Sequence, residues 1–123
     1  MIVLDTSVLI ASFTNTRIQF PVLMQRLENA ERMWVPTMVL FEWWRAPRLD
    51  SELAIQEALF PTDTAIEFGV QEARVAARLY RRVTRARDRE IDLAIAACAI
   101  AREMPLWTLN RKDFADIPGL NLA

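Results

Sequence analysis

Four carboxylates stand where a purely structural chain rarely keeps them: Asp5, Glu42, Asp92 and Asp113. Asp5 ends the apolar run Met1-Ile-Val-Leu4, and Glu42 is set within Val39-Leu-Phe-Glu-Trp-Trp44. Asp92 shares a helical face with Ile95, Ala96 and Ala99, and Asp113 follows Trp107-Thr-Leu-Asn-Arg-Lys112. Burying an ionised carboxylate is costly unless a cation or several hydrogen-bond donors meet it. If the fold gathers the four, a metal ion is the expected partner. A cluster of hard oxygen ligands suits Mg2+ or Mn2+. Such ions promote in-line phosphoryl displacement, so the chemistry implied is phosphodiester hydrolysis by metal-activated water.

Each acid also has a plain structural account. Asp5 and Asp113 can each cap the helix that follows. Glu42 can be turned outward despite its apolar neighbours. Asp92 resists this most, because positions 92, 95, 96 and 99 follow the i, i+3, i+4, i+7 rule and the other three are apolar. A carboxylate there, near a helix start, wants a cation or the helix dipole.

Composition narrows the chemistry. The chain has 123 residues and no histidine, which excludes Ser-His and Cys-His hydrolases, histidine-based RNA cleavage and the usual zinc sites. Its one cysteine, Cys98, cannot form an internal disulfide and reads as a small buried residue in Ala96-Ala-Cys-Ala-Ile100. With only two glycines, Gly69 and Gly119, no phosphate-cradling glycine loop exists. The length suits a single domain over residues 1–123. No apolar run is long enough to span a membrane, and the start reads as a strand rather than a leader, so a cytoplasmic protein is expected.

The net charge of −1 conceals a basic segment: seven arginines fall between Arg74 and Arg89, opposed only by Asp88. By itself such a segment reads first as a solvated helix face and only second as a phosphate-contacting surface. An acidic metal site nearby tips the balance toward RNA contact through Arg82, Arg85, Arg87 and Arg89.

These residues need elements to position them. Ile2–Leu4, Met33–Val35, Leu59–Thr62 and Leu106–Thr108 read as short buried strands, with Leu120–Leu122 a possible fifth. Helices are expected at Thr6–Phe13, Ile18–Arg32, from Thr37 to before Pro47, from Asp50 to about Ala58, and from a cap at Asp63 into the arginine segment. A helix carrying Asp92 then runs to about Glu103. Strands alternating with helices indicate an α/β sandwich with a mainly parallel sheet of four to five strands. Ligands bind beyond the carboxyl ends of such strands. Asp5 and the segment Thr108–Asp113 follow two of them directly.

Four stretches taken together resemble the motifs of PIN-domain ribonucleases, especially VapC-type toxins of type II toxin–antitoxin systems. They are Met1-Ile-Val-Leu-Asp-Thr-Ser-Val-Leu9, the lone Glu42, Asp92-Leu-Ala-Ile-Ala-Ala97 and Thr108-Leu-Asn-Arg-Lys-Asp-Phe114. The resemblance reaches the closing Ile117-Pro-Gly-Leu120. It implies a PIN-like α/β/α sandwich in which Asp5, Glu42, Asp92 and Asp113 bind metal and carry catalysis. Thr6, Thr108 and Asn110 would support them. It further implies Mg2+ or Mn2+, an RNA substrate such as tRNA, homodimerisation, and neutralisation by a cognate antitoxin in a hetero-oligomer.

The chain departs from that pattern before the third acid, where Arg85-Ala-Arg-Asp-Arg-Glu-Ile91 replaces a glycine-rich stretch. Asp88 and Glu90 therefore compete with Asp92, and Asp116 competes with Asp113. The Ile95-Ala-Ala97 continuation and the Thr108-to-Asp113 spacing favour Asp92 and Asp113. Adjacent helical positions point about 100° apart, so one of Trp43 and Trp44 belongs in the core and the other on a partly covered surface. The exposed ring would suit antitoxin or dimer contact. Two further functions compete. An aspartyl-phosphate phosphohydrolase also opens with a strand ending in aspartate, but usually has a second aspartate where Ser7 stands. A non-catalytic RNA-binding module would have no need of four acids.

Overall fold

The computed structural model describes residues 1–123. Its centre is β1 (Ile2–Leu4), flanked by β2 (Met33–Trp34) and β3 (Leu106–Trp107) in the order β2-β1-β3, with both pairings parallel. Val3 registers with Trp34 on one side and Leu106 on the other, and all of β1 is buried. That explains its continuous apolar sequence: a central parallel strand is covered on both faces and has no solvent side to alternate with.

The sheet is shorter than the four to five strands expected. Two single parallel bridges extend it, Pro36 with Ile66 at one edge and Leu106 with Leu122 at the other. The Leu122 bridge stands where the fifth strand was expected, but only as one rung. The third expected strand, Leu59–Thr62, is absent. Leu59 ends a helix, the Gln56 side chain donates to the Phe60 carbonyl at 3.1 Å, and Thr62–Thr64 forms one 3-10 turn. A proline disfavours helical geometry in the residue before it, so Pro61 stops the helix at Phe60 without starting a strand. The edge rung falls at Ile66, whose amide donates to Val35 at 3.0 Å. Ile66 in turn accepts from Thr37, because Pro36 has no N–H to offer.

Helices α1 (Thr6–Phe13) and α2 (Phe20–Glu28) fill the first crossover. The second holds α3 (Thr37–Arg45), α4 (Asp50–Leu59), α5 (Val70–Arg82) and α6 (Glu90–Ala101). A short α7 (Arg111–Phe114) follows β3. The α2 helix is shorter than its periodicity indicated, starting at the Phe20-Pro21 pair and closing before the left-handed Ala30. Asp63 caps nothing. The Ile66 rung holds that segment extended, and α5 starts at Val70, where Glu72 accepts the Gly69 amide at 2.8 Å.

The α6 helix is buried on every side from Leu93 to Ala99. The stripe through Ile95, Ala96 and Ala99 is therefore not one apolar face among polar ones. Small residues all round let α6 pack closely against β1, α3 and α5. Trp43 is fully buried, edge-on to Phe13 at 6.0 Å, while Trp44 is about half exposed. No helix is long and apolar enough to cross a membrane.

Candidate active site

The carboxyl ends of β1 and β3 deliver Asp5 and Thr108 side by side. The Asp5 amide extends the ladder, donating to the Trp107 carbonyl at 2.9 Å. Asp5 is 3% exposed, yet its carboxylate is well supplied with donors. Ser7 Oγ donates to Oδ2 at 2.8 Å and Thr108 Oγ1 donates to the same oxygen at 2.7 Å. Each hydroxyl has one hydrogen, and both go to Asp5, so the 3.4 Å approach of Ser7 Oγ to Thr108 Oγ1 is a contact between acceptors. Those hydroxyls are themselves held, since the Leu109 amide donates to Ser7 and the Asn110 amide donates to Thr108, both at 3.0 Å. The result is a carboxylate with one oxygen pinned and Oδ1 free.

Glu42 reaches the same place from α3. Thr6 Oγ1 donates to its Oε1 at 2.5 Å, and Arg45, one turn along α3, donates to Oε2 at 3.2 Å. Asp92 enters from the first turn of α6 and has no hydrogen-bond donor of its own. Together Asp5, Thr6, Ser7, Ile10, Glu42, Asp92, Leu109 and Asn110 line an open cleft of about 400 Å³. Asp113, on α7, is exposed outside this lining. It still bears on Asp92, whose carboxyl is pushed up to about 6, first by burial and then by the charges of Asp5, Glu42 and Asp113. Arg89 works in the opposite direction.

No three of these acids stand close enough together to chelate an ion as they are. Like charges with no cation between them repel. The donor set nevertheless fits a hard divalent cation. It is all oxygen, three of its members line one cleft, and the repulsion that raises Asp92 is the kind a cation relieves.

The neighbouring acids separate from this group. Glu90 Oε1 accepts the Asp88 amide at 3.2 Å, and neither residue lines the cleft. Asp116 is tied to Arg89 at 2.7 and 2.9 Å. Of the arginines singled out for phosphate contact, Arg82, Arg85 and Arg87 are exposed. Arg89 differs, because both of its terminal nitrogens are engaged within the chain. In the sequence Ser7 and Arg45 have no evident part in the site, and Arg89 and Asp116 read as a phosphate contact and a rival acid rather than as a pair. Only Arg45 left a local signal, three residues after a lone glutamate on a helix.

In fold the chain is similar to several toxin–antitoxin proteins. One belongs to VapBC2 from Rickettsia felis bound to a DNA fragment from their promoter, at 21% identity and a TM-score of 0.75, covering 100% of this chain and 98% of that one. A second belongs to DNA-bound VapBC from Salmonella typhimurium, at 22% identity and a TM-score of 0.80, covering 99% and 96%. A third belongs to VapBC-5 from Mycobacterium tuberculosis, at 29% identity and a TM-score of 0.64, covering 97% and 91%. No curated protein sequence matches significantly. The PIN domain family model matches residues 2–120, spanning the strand that ends in Asp5, the α3 and α6 acids and the β3–α7 segment, and the chain belongs to that family.

Proposed function

We propose that the chain is an Mg2+- or Mn2+-dependent endoribonuclease, acting in the cytoplasm as the toxin of a toxin–antitoxin pair. The observation that carries this reading is the convergence of Asp5, Glu42 and Asp92 on one cleft at the carboxyl edge of the sheet. Family membership and the VapBC complexes among its structural neighbours support it. They lend nothing to an aspartyl-phosphate mechanism.

The bound cation would supply positive charge against the scissile phosphate and acidify the attacking water. Asp5 would help to hold it, while Ser7 and Thr108 restrain that carboxylate through its Oδ2. Asp92 and Asp113 would complete the set from α6 and α7. Glu42, fixed by Thr6 and Arg45, would add the fourth negative group. Water adds to phosphorus and the opposite ester oxygen leaves, so one phosphodiester becomes a phosphomonoester and a hydroxyl. Asn110, which lines the cleft, would offer a polar contact to RNA. Arg82 at the end of α5, and Arg85 and Arg87 on the segment that follows, are exposed and would supply charge for the RNA backbone.

A cognate antitoxin would neutralise this activity, and the protein would act as a homodimer. The test is cleavage of total RNA and of tRNA by wild type and by Asp5→Ala. The expected result is metal-dependent cleavage by wild type alone. Equal cleavage by both proteins, or cleavage that persists in EDTA, would sink the reading.

A further inference from the structure

Arg89 is the N-cap residue of α6 and stands at the end of a segment with two left-handed non-glycine residues, Arg85 and Asp88. Such backbone persists only where surrounding contacts hold it. The Arg89 side chain makes four of them. Nη1 donates to the Thr84 carbonyl at 3.0 Å and to Asp116 Oδ2 at 2.9 Å. Nη2 donates to the Asp113 carbonyl at 3.0 Å and to Asp116 Oδ1 at 2.7 Å. Every terminal guanidinium hydrogen is thereby occupied, leaving only Nε–H for an outside ligand. Within the pair the Arg89 side chain is the more covered, at 20% exposed against 46% for Asp116.

The placement matters because of what α7 lacks. It has four residues and no side-chain cap, so it cannot hold its own shape in water. Buried Phe114 and Ile117 anchor its underside. Arg89 ties its carboxyl side, through Asp113 and Asp116, to the residue three before Asp92.

We infer that Arg89, with Asp116, is a positioning residue that sets the separation of Asp92 and Asp113 for a shared cation. This rests on the proposed nuclease reading. It moves Arg89 out of the phosphate-contacting group and Asp116 out of the ligand candidates. Removal of partners that orient metal ligands lowers metal affinity or activity by about 10–100-fold.

Arg89→Ala, Arg89→Lys and Asp116→Asn separate the possibilities. Mn2+ affinity is read by electron paramagnetic resonance on RNA-free protein, and kcat and KM by cleavage of a defined RNA. Positioning requires about tenfold weaker Mn2+ binding in all three. It also requires a matching fall in kcat and a KM within about twofold of wild type. Lysine cannot reproduce a bidentate fork, so Arg89→Lys should fail with the others. If Arg89→Ala does not fold, the milder Asp116→Asn carries the test. A rise in KM confined to the Arg89 variants, with Mn2+ affinity intact, would show a phosphate contact and overturn the inference. So would a lowered melting temperature with unchanged Mn2+ affinity and turnover per folded molecule. Wild-type protein that binds no Mn2+ and cleaves no RNA would instead remove the nuclease reading beneath it.

Discussion

Replacing Asp92 with asparagine should stabilise the metal-free protein while destroying its activity. The carboxyl of Asp92 is raised from 3.8 to about 6, by burial and then by Asp5, Glu42 and Asp113. At about 1.4 kcal/mol per unit this is a ceiling of about 3 kcal/mol. Asp92 is only half-buried and water screens its repulsions, so about 1.5 kcal/mol is the fair figure. Asparagine forfeits the favourable interaction of a charge with the α6 N-terminus, about 0.5 kcal/mol. The net gain is about 1 kcal/mol at pH 7.5, or a melting temperature higher by about 3–4 °C for a chain of this size. The sign follows from proton binding. Between pH 4 and 6 the folded acid holds its proton more tightly than the unfolded one, so wild-type stability falls as pH rises through that window. The advantage of Asp92→Asn should therefore fade on acidification and vanish below about pH 4. Saturating Mn2+ should reverse the order, because only wild type gains full binding energy; at 100 times Kd this is about 2.7 kcal/mol. Thermal melts at pH 7.5 and pH 4, in EDTA and in Mn2+, decide it. An Asp92→Asn protein less stable than wild type in EDTA at pH 7.5 would refute the reasoning, as would a gain that survives at pH 4.

Ser7→Ala and Thr108→Val each remove a donor from Asp5 Oδ2 and should lower kcat by about 10–100-fold; activity within twofold of wild type would dismiss the orienting role. Trp43→Ala should cost about 3–5 kcal/mol in denaturant unfolding, since the ring is wholly buried against Phe13. Trp44→Ala should leave stability within about 0.5 kcal/mol and weaken antitoxin binding, and unchanged antitoxin affinity would remove that surface from consideration. The combined change of Arg82, Arg85 and Arg87 to Ala should raise KM for RNA and flatten its dependence on salt. An unaltered salt slope would show that backbone charge is met elsewhere.

How far these residues are legible in the sequence depends on how locally their placement is determined. Asp5 is readable because a three-residue apolar strand followed by an acid and a helix is self-describing. So is α6, whose unbroken small apolar sequence allows no other element. Leu59–Phe60 misleads because a brief apolar run before proline looks the same as a strand end or a helix end, and only the Gln56 bond to Phe60 decides. The true edge rung at Ile66 depends on a strand partner thirty residues earlier. The four acids announce themselves by unusual company, whereas their supports do not. Arg89 and Asp116 lie 27 residues apart in stretches already rich in charge, and nothing in either stretch marks one arginine as internally paired. Ser7 looks like any second residue of a helix until the fold brings Leu109 and Asp5 against its hydroxyl.

The helix that carries Asp92 also gives the molecule a built-in reporter. Cys98 is its only thiol, fully buried in α6, and burial pushes its pKa up to about 11. A thiol so placed reacts only when the surrounding core opens. Its labelling rate would therefore time the opening of the native fold, with no engineered probe. Run with and without an added antitoxin, that clock would show whether such a partner slows the opening of the fold.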